Sequence, residues 1–129
     1  MTAQTKILLI DDETEFASAL AERLRLRNYS ARAIYPAEDA LEIVRSDMPD
    51  VVLLDFRMPG MDGIQVLKRI KEIDATIEVI MLTGHGDMHS IEEAMKEGAY
   101  EYIMKPINIK DLIIKIDTAK KKRSSRSKT

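Results

Sequence analysis

The sequence predicts an α/β fold, a five-stranded, doubly wound parallel sheet, from two observations. Short, continuous apolar runs alternate five times with longer segments of helical period. The runs do not alternate polar with apolar residues, which is the pattern of parallel strands buried on both faces. Each run is also followed by a helix able to carry the chain back to the start of the next parallel strand. At 129 residues the chain suits one domain; an eight-fold β/α barrel needs roughly twice that length.

The elements follow in order. KILLI at 6–10 is the first strand. Residues 14–27 then stack Phe16, Leu20 and Leu24 at a spacing of four, a helix face, with Thr14 as its expected cap and Asn28 as its stop. Ser30 to Ile34 is a short second strand, and Ala37 to Arg45 is a helix with Ala40, Leu41 and Val44 on one side. Val51 to Leu54 is the third strand. Residues 62–73 form a helix with Ile64, Leu67 and Ile70 at a spacing of three. Ile77 to Leu82 is the fourth strand, and a helix over 87–97 stops at Gly98. Tyr100 to Met104 is the fifth strand, and Ile109, Leu112, Ile113 and Ile116 mark the last helix.

Composition excludes several classes. Apolar residues make up 45% and charged residues 33%, and there is no cysteine, so disulfides and thiolate chemistry are out. No apolar run is long enough to cross a bilayer and no export signal is visible, so no membrane partner and a cytoplasmic location are expected. Residues 119–129, AKKKRSSRSKT, carry six basic side chains and no acid against a net charge of −2 for the chain. That stretch is expected to be a solvated, frayed tail or linker remnant after a domain over 1–118. Six charges without interleaved aromatics are weak grounds for nucleic-acid binding.

Ligands of open α/β sheets bind beyond the carboxyl ends of the strands. There the sequence places Asp11, Asp12 and Glu13 after the first strand, Asp55 after the third, Thr83 and Gly84 after the fourth, and Lys105 with Pro106 after the fifth. Three carboxylates at about 5 Å would repel pairwise by about 3 kcal/mol at an effective dielectric of about 20. Lys105 offsets part of this, and a hard divalent cation such as Mg2+ offsets more. An aspartate beside Mg2+ and a lysine is equipped to attack phosphorus and form an acyl phosphate. Lys105 would pair with one phosphoryl oxygen and the Thr83 hydroxyl with another, which makes Thr83 a sensor of the group.

Five stretches carry a family resemblance: IDDE at 10–13, LDFRMPGMDG at 54–63, LTGHG at 82–86, GA at 98–99 and KP at 105–106. In this order, over residues 6 to about 118, they resemble the receiver domains of two-component response regulators, of the chemotaxis-receiver type. The resemblance implies a flavodoxin-like (βα)5 sheet of strand order 2-1-3-4-5. It implies Asp55 as phosphoacceptor, and Asp11 and Asp12 as the Mg2+ pair, with Asp12 the direct ligand and Asp11 acting mainly through water. It further implies the backbone carbonyl of Arg57 as a metal ligand, Lys105 as the active-site lysine, Thr83 as the switch hydroxyl and Tyr102 as the aromatic switch. The Lys105–Pro106 bond is expected to be cis. The implied partners are a histidine kinase or phosphotransfer protein, a downstream effector protein or effector domain, and a second copy of the phosphorylated chain. The surface of the fourth helix, fifth strand and fifth helix would change on phosphorylation.

Plainer roles stand beside these. The aspartates suit caps and turns, Thr83 a turn, and Tyr102 packing. His85 is expected as a loop residue near the site and His89 on the surface, neither as a ligand. Met58 and Met61, flanking Pro59-Gly60, are candidates for a partner contact. Two rival functions remain: an Asp-nucleophile, Mg2+-dependent phosphatase, which usually has a second acid where this chain has Arg57, and a flavin or nucleotide module. The latter wants a phosphate-cradling loop where the chain has Asp11, Asp12 and Glu13.

Overall fold

Five parallel strands pair in the order β2-β1-β3-β4-β5 in the computed structural model, which describes residues 4–58, 60–84 and 88–127 and the side chains of all of these but 88, 126 and 127. The strands are β1 (Lys6–Ile10), β2 (Ser30–Ala33), β3 (Val51–Asp55), β4 (Glu78–Thr83) and β5 (Glu101–Met104). The helices are α1 (Thr14–Arg25), α2 (Ala37–Asp47), α3 (Gly63–Ile73), α4 (Met88–Lys96) and α5 (Ile109–Ser127). The predicted architecture and strand order are both present. Pro59, His85, Gly86, Asp87 and Lys128 lie outside the described residues.

Alternate strand residues serve two cores. Leu8, Ile10, Val52, Leu54, Val79 and Met81 face α2, α3 and α4, where Val44, Leu67 and Ile70 are buried. Ile7, Leu9, Val51, Leu53, Ile80 and Leu82 face α1 and α5 around Leu20, Leu24, Leu112 and Ile116. Both sides of the sheet are therefore dry, which is why the strands read as continuous apolar runs. Met58 is buried in the first of these cores, and Met61, partly buried, packs against it. His89 is exposed, as expected.

Local signals set most helix ends. Asp62 caps α3 by accepting from the Gln65 N–H at 3.0 Å, while the Gln65 side chain accepts from the Asp62 N–H at 3.2 Å. Asn28, at φ 70°, and Gly98, at φ 102°, take the left-handed conformation that turns the chain out of α1 and α4. The first helix departs from expectation. Glu13, not Thr14, holds the cap position, and its side chain makes no cap hydrogen bond.

The basic C-terminal segment departs more. Residues 119–125 are not a frayed tail; α5 continues through them to Ser127. Ala119 is fully buried on the face that carries Leu112 and Ile116. Beyond it, Lys120 Nζ and Arg123 Nη1 meet Asp50 Oδ1 at 3.0 and 2.9 Å, and Arg123 Nη2 meets Asp74 Oδ2 at 3.4 Å. Lys122 Nζ lies 3.9 Å from buried Glu78 and 5.2 Å from the centre of the Tyr100 ring. These acids sit at the amino edge of the sheet, where β3 and β4 begin. Lys120, Lys122 and Arg123 are thus answered by buried Asp50 and Glu78 and by half-buried Asp74. Asp74 itself is burdened by burial, yet hydrogen bonds from Thr76 and Arg123 hold its carboxyl below the usual range.

Candidate functional site

The carboxyl edge of the sheet gathers the charged residues. Asp11 and Asp12 follow β1, Asp55 is the last residue of β3, and Thr83 ends β4. Lys105 follows β5, and its backbone N–H donates to the Thr83 carbonyl at 2.8 Å, extending the β4–β5 pairing by one residue. The Lys105–Pro106 peptide is cis, as expected, and so is Tyr35–Pro36.

Oxygens of Asp11, Asp12 and Asp55 lie within 4.8 Å of one another. Asp11 and Asp55 are buried, at 2% and 8% exposure. Burial, and then the neighbouring Asp11 carboxylate, push the Asp55 carboxyl up from 3.8 to about 7, against the pull of Lys105 and the Arg57 backbone N–H. Burial likewise raises Asp11, although the Glu13 backbone N–H donates to its Oδ1 at 2.9 Å. Three crowded, oxygen-only donors whose negative charge is under strain fit a hard divalent cation, and Mg2+ matches such a set.

Lys105 supplies the site's positive charge. Its Nζ lies 2.6 Å from Glu13 Oε1, 2.9 Å from Asp11 Oδ2 and 3.8 Å from Asp55 Oδ1. It also sits 4.6 Å from the centre of the Phe16 ring, a cation–π distance. Burial alone would lower the ammonium, but hydrogen bonds to Glu13 and Asp11 raise it. Lys105 therefore stays charged at neutral pH.

The remaining predicted residues take distinct places. Thr83 is fully buried beside the acids' edge, and its hydroxyl donates to the Gly84 carbonyl at 3.1 Å. Tyr102 is half-buried, packed on the core under α2, α3 and α4, and pairs in register with Met81. Arg57 has an exposed side chain and gives its N–H to Asp55. Two contributors were not singled out in the sequence: Glu13, the shortest partner of Lys105, and Phe16, read only as a helix-face residue.

Gly63 carries a further constraint. A Cβ there would fall 2.6 Å from the Asp55 carbonyl oxygen and 2.8 Å from Phe56 Cα, both backbone atoms. The Gly63 N–H donates to the Phe56 carbonyl at 2.9 Å, so α3 is seated on the end of β3 that carries Asp55. Gly63→Ala is expected to cost about 1–3 kcal/mol, as overpacking of a fixed backbone does. Thermal melting checks it.

Comparison with known proteins agrees with this arrangement. Sporulation initiation phosphotransferase F of Bacillus subtilis (strain 168) is 39% identical over 107 residues, 83% of this chain and 86% of that protein. The C4-dicarboxylate transport transcriptional regulatory proteins DctD of Rhizobium meliloti (strain 1021) and Pseudomonas aeruginosa are 33% and 40% identical over 95% and 81% of this chain. The chain spans only 27% and 22% of the length of those two regulators. A response regulator receiver domain protein from Clostridium thermocellum matches in structure with a TM-score of 0.89 at 36% identity, over 93% of this chain and 97% of that one. Residues 7–117 match the response regulator receiver domain family, and the chain, with its acids and lysine gathered at one sheet edge, belongs to that family.

Proposed function

We propose that this domain is a phospho-accepting signalling switch with Asp55 as the acceptor. The observation that carries the reading is the meeting of Asp11, Asp12, Asp55 and Lys105, from the ends of three strands, in one cluster. A carboxylate oxygen of Asp55 attacks the phosphorus of a phosphohistidine on a histidine kinase or phosphotransfer protein, or of a small acyl phosphate. A P–O bond to Asp55 forms. The bond from phosphorus to the donor's nitrogen or oxygen breaks, and its electron pair leaves with the donor. Water later attacks phosphorus, releasing inorganic phosphate and restoring the carboxylate. The domain acts on no substrate but its own phosphoryl group.

Asp11, Asp12, Asp55 and the Arg57 backbone carbonyl would hold Mg2+, with Asp12 as direct ligand and Asp11 acting through water. When bound, the ion neutralises charge on the phosphoryl oxygens as the group changes hands. Lys105 pairs with one of those oxygens. The Thr83 hydroxyl leaves the Gly84 carbonyl for another, and Tyr102 follows into the space it vacates. The face of α4, β5 and α5 is thereby altered for a downstream effector protein, an attached effector domain or a second copy of the chain. An open groove of about 560 Å³ runs from Lys105 along α1 past Phe16 and Arg23, where a donor can rest. Among the described residues no helix is long and apolar enough to cross a membrane. The cytoplasm, where histidine kinases present their phosphohistidine, is the expected setting, and nucleic acid is not a partner of this domain alone.

A phosphatase acting on external substrates is not adopted, because Arg57 stands where that chemistry uses an acid. The test is incubation with acetyl phosphate and MgCl2, read by intact mass. The wild type should gain one base-labile phosphoryl group, mapped to Asp55, and Asp55→Asn none. Label on another residue, or steady phosphate release from assorted monoesters, would refute the reading.

A further inference from the structure

Lys105 is not closest to the acceptor it is meant to serve. Its ammonium hydrogen-bonds Glu13 at 2.6 Å and Asp11 at 2.9 Å. Asp55, at 3.8 Å, is an ion pair beyond hydrogen-bond reach. The two bonded acids differ in freedom. The Asp11 side chain is 1% exposed and fixed, whereas that of Glu13 is 62% exposed. Glu13 stands at the cap of α1 without using its carboxylate as a cap. Its side chain serves no local need of the helix and is free to leave Lys105.

We propose that Glu13 is a positioning residue that holds Lys105 back from Asp55 in the unmodified protein and yields it when an anion is seated on Asp55. The inference rests on Asp55 being the acceptor. The ammonium has three donors; two are taken by Glu13 and Asp11, and the pull of these short bonds leaves it 3.8 Å from Asp55. Phe16 contributes by keeping the ammonium on the α1 side, 4.6 Å from its ring centre. The exchange is cheap in one direction only: an exposed ion pair is weak in water, while Asp11 and the seated anion hold Lys105 in a drier place.

Glu13→Gln and, as a control, Glu15→Gln test this, Glu15 being an exposed acid of the same first turn. With acetyl phosphate and MgCl2, Glu13→Gln should label Asp55 about 2- to 5-fold faster than wild type, the range open to an exposed pair, and Glu15→Gln at the wild-type rate. The Lys105 13Cε resonance gives a readout that general charge or folding would not mimic. In unlabelled Glu13→Gln it should move toward its position in the wild-type beryllium fluoride–Mg2+ adduct; in Glu15→Gln it should not. An unchanged or slower rate, an unmoved resonance, or equal effects from both variants overturns the inference. If the wild type itself takes no label on Asp55, the acceptor reading fails first and the inference with it; if it labels normally, only the role of Glu13 is at stake.

Discussion

Asp55→Asn should raise the thermal stability of the metal-free protein at pH 8, although it removes the proposed nucleophile. Folding puts the Asp55 carboxylate in a buried place beside Asp11 and so lifts its carboxyl from 3.8 to about 7. The sign follows from proton counts. Between these two values the folded state holds a proton that the unfolded state has released, so stability falls as pH rises through this window. Above pH 7 both states are ionised and the full penalty stands. At about 1.4 kcal/mol per tenfold in acidity, that penalty is about 4 kcal/mol. Asparagine carries no charge and can still accept from the Arg57 N–H. The gain over wild type should therefore be several degrees in melting temperature at pH 8 and shrink steadily toward pH 4. Millimolar Mg2+ should narrow it from the other side, since a ligand at tenfold its Kd stabilises the wild type by about 1.4 kcal/mol. Melting curves of both proteins from pH 5 to 8, with EDTA and with MgCl2, check each part. A variant that melts lower than wild type at pH 8 in EDTA would show that the acids are not under the strain described.

The second large effect is expected at the opposite edge. Asp50→Ala should lower stability by about 3 kcal/mol, the scale for breaking a buried ion pair by removing one partner. Asp50 is 6% exposed. Its Oδ2 accepts from the Lys6 N–H at 2.9 Å, and its Oδ1 from Lys120 and Arg123 at 3.0 and 2.9 Å. Its backbone carbonyl accepts from the Glu78 N–H at 3.2 Å. One carboxylate thus ties the start of β1 to the last turns of α5. Without it the Lys6 N–H and two cations lose their acceptor. Amide exchange should show residues 120–125 losing protection, while labelling of Asp55 below the melting temperature stays at the wild-type rate. Glu42→Ala, which breaks the exposed pair with Arg45, should change stability by less than about 0.5 kcal/mol.

How much was legible in the sequence depended on the range of the interaction. The strands were legible because burial on both faces leaves an unbroken apolar run, as in Val51 to Leu54. The grouping of Asp11, Asp12, Asp55 and Lys105 was legible because parallel winding sends every strand's carboxyl end to one edge. The fate of the C-terminal basic run was not. Its partners Asp50, Asp74 and Glu78 come from separate places in the chain, and only the finished sheet brings them together. Ala119, three residues after Ile116, continues the buried face, but a small side chain in a run of lysines is a faint signal. The tight seat of Gly63 left no local signal, because the backbone it must avoid belongs to Asp55 and Phe56. Glu13 was read as one more acid, since nothing local says which carboxylate a distant lysine will choose.

The nineteen residues of α5 form a rod about 28 Å long. Its first turn begins a few residues past Lys105, and its last turns are bolted to Asp50 and Asp74 at the far side of the sheet. Its near half is held to the sheet by buried Leu112 and Ile116, and its far end by those ion pairs. A disturbance at the lysine loop therefore meets a rod pinned along its length, which resists sliding along its own axis.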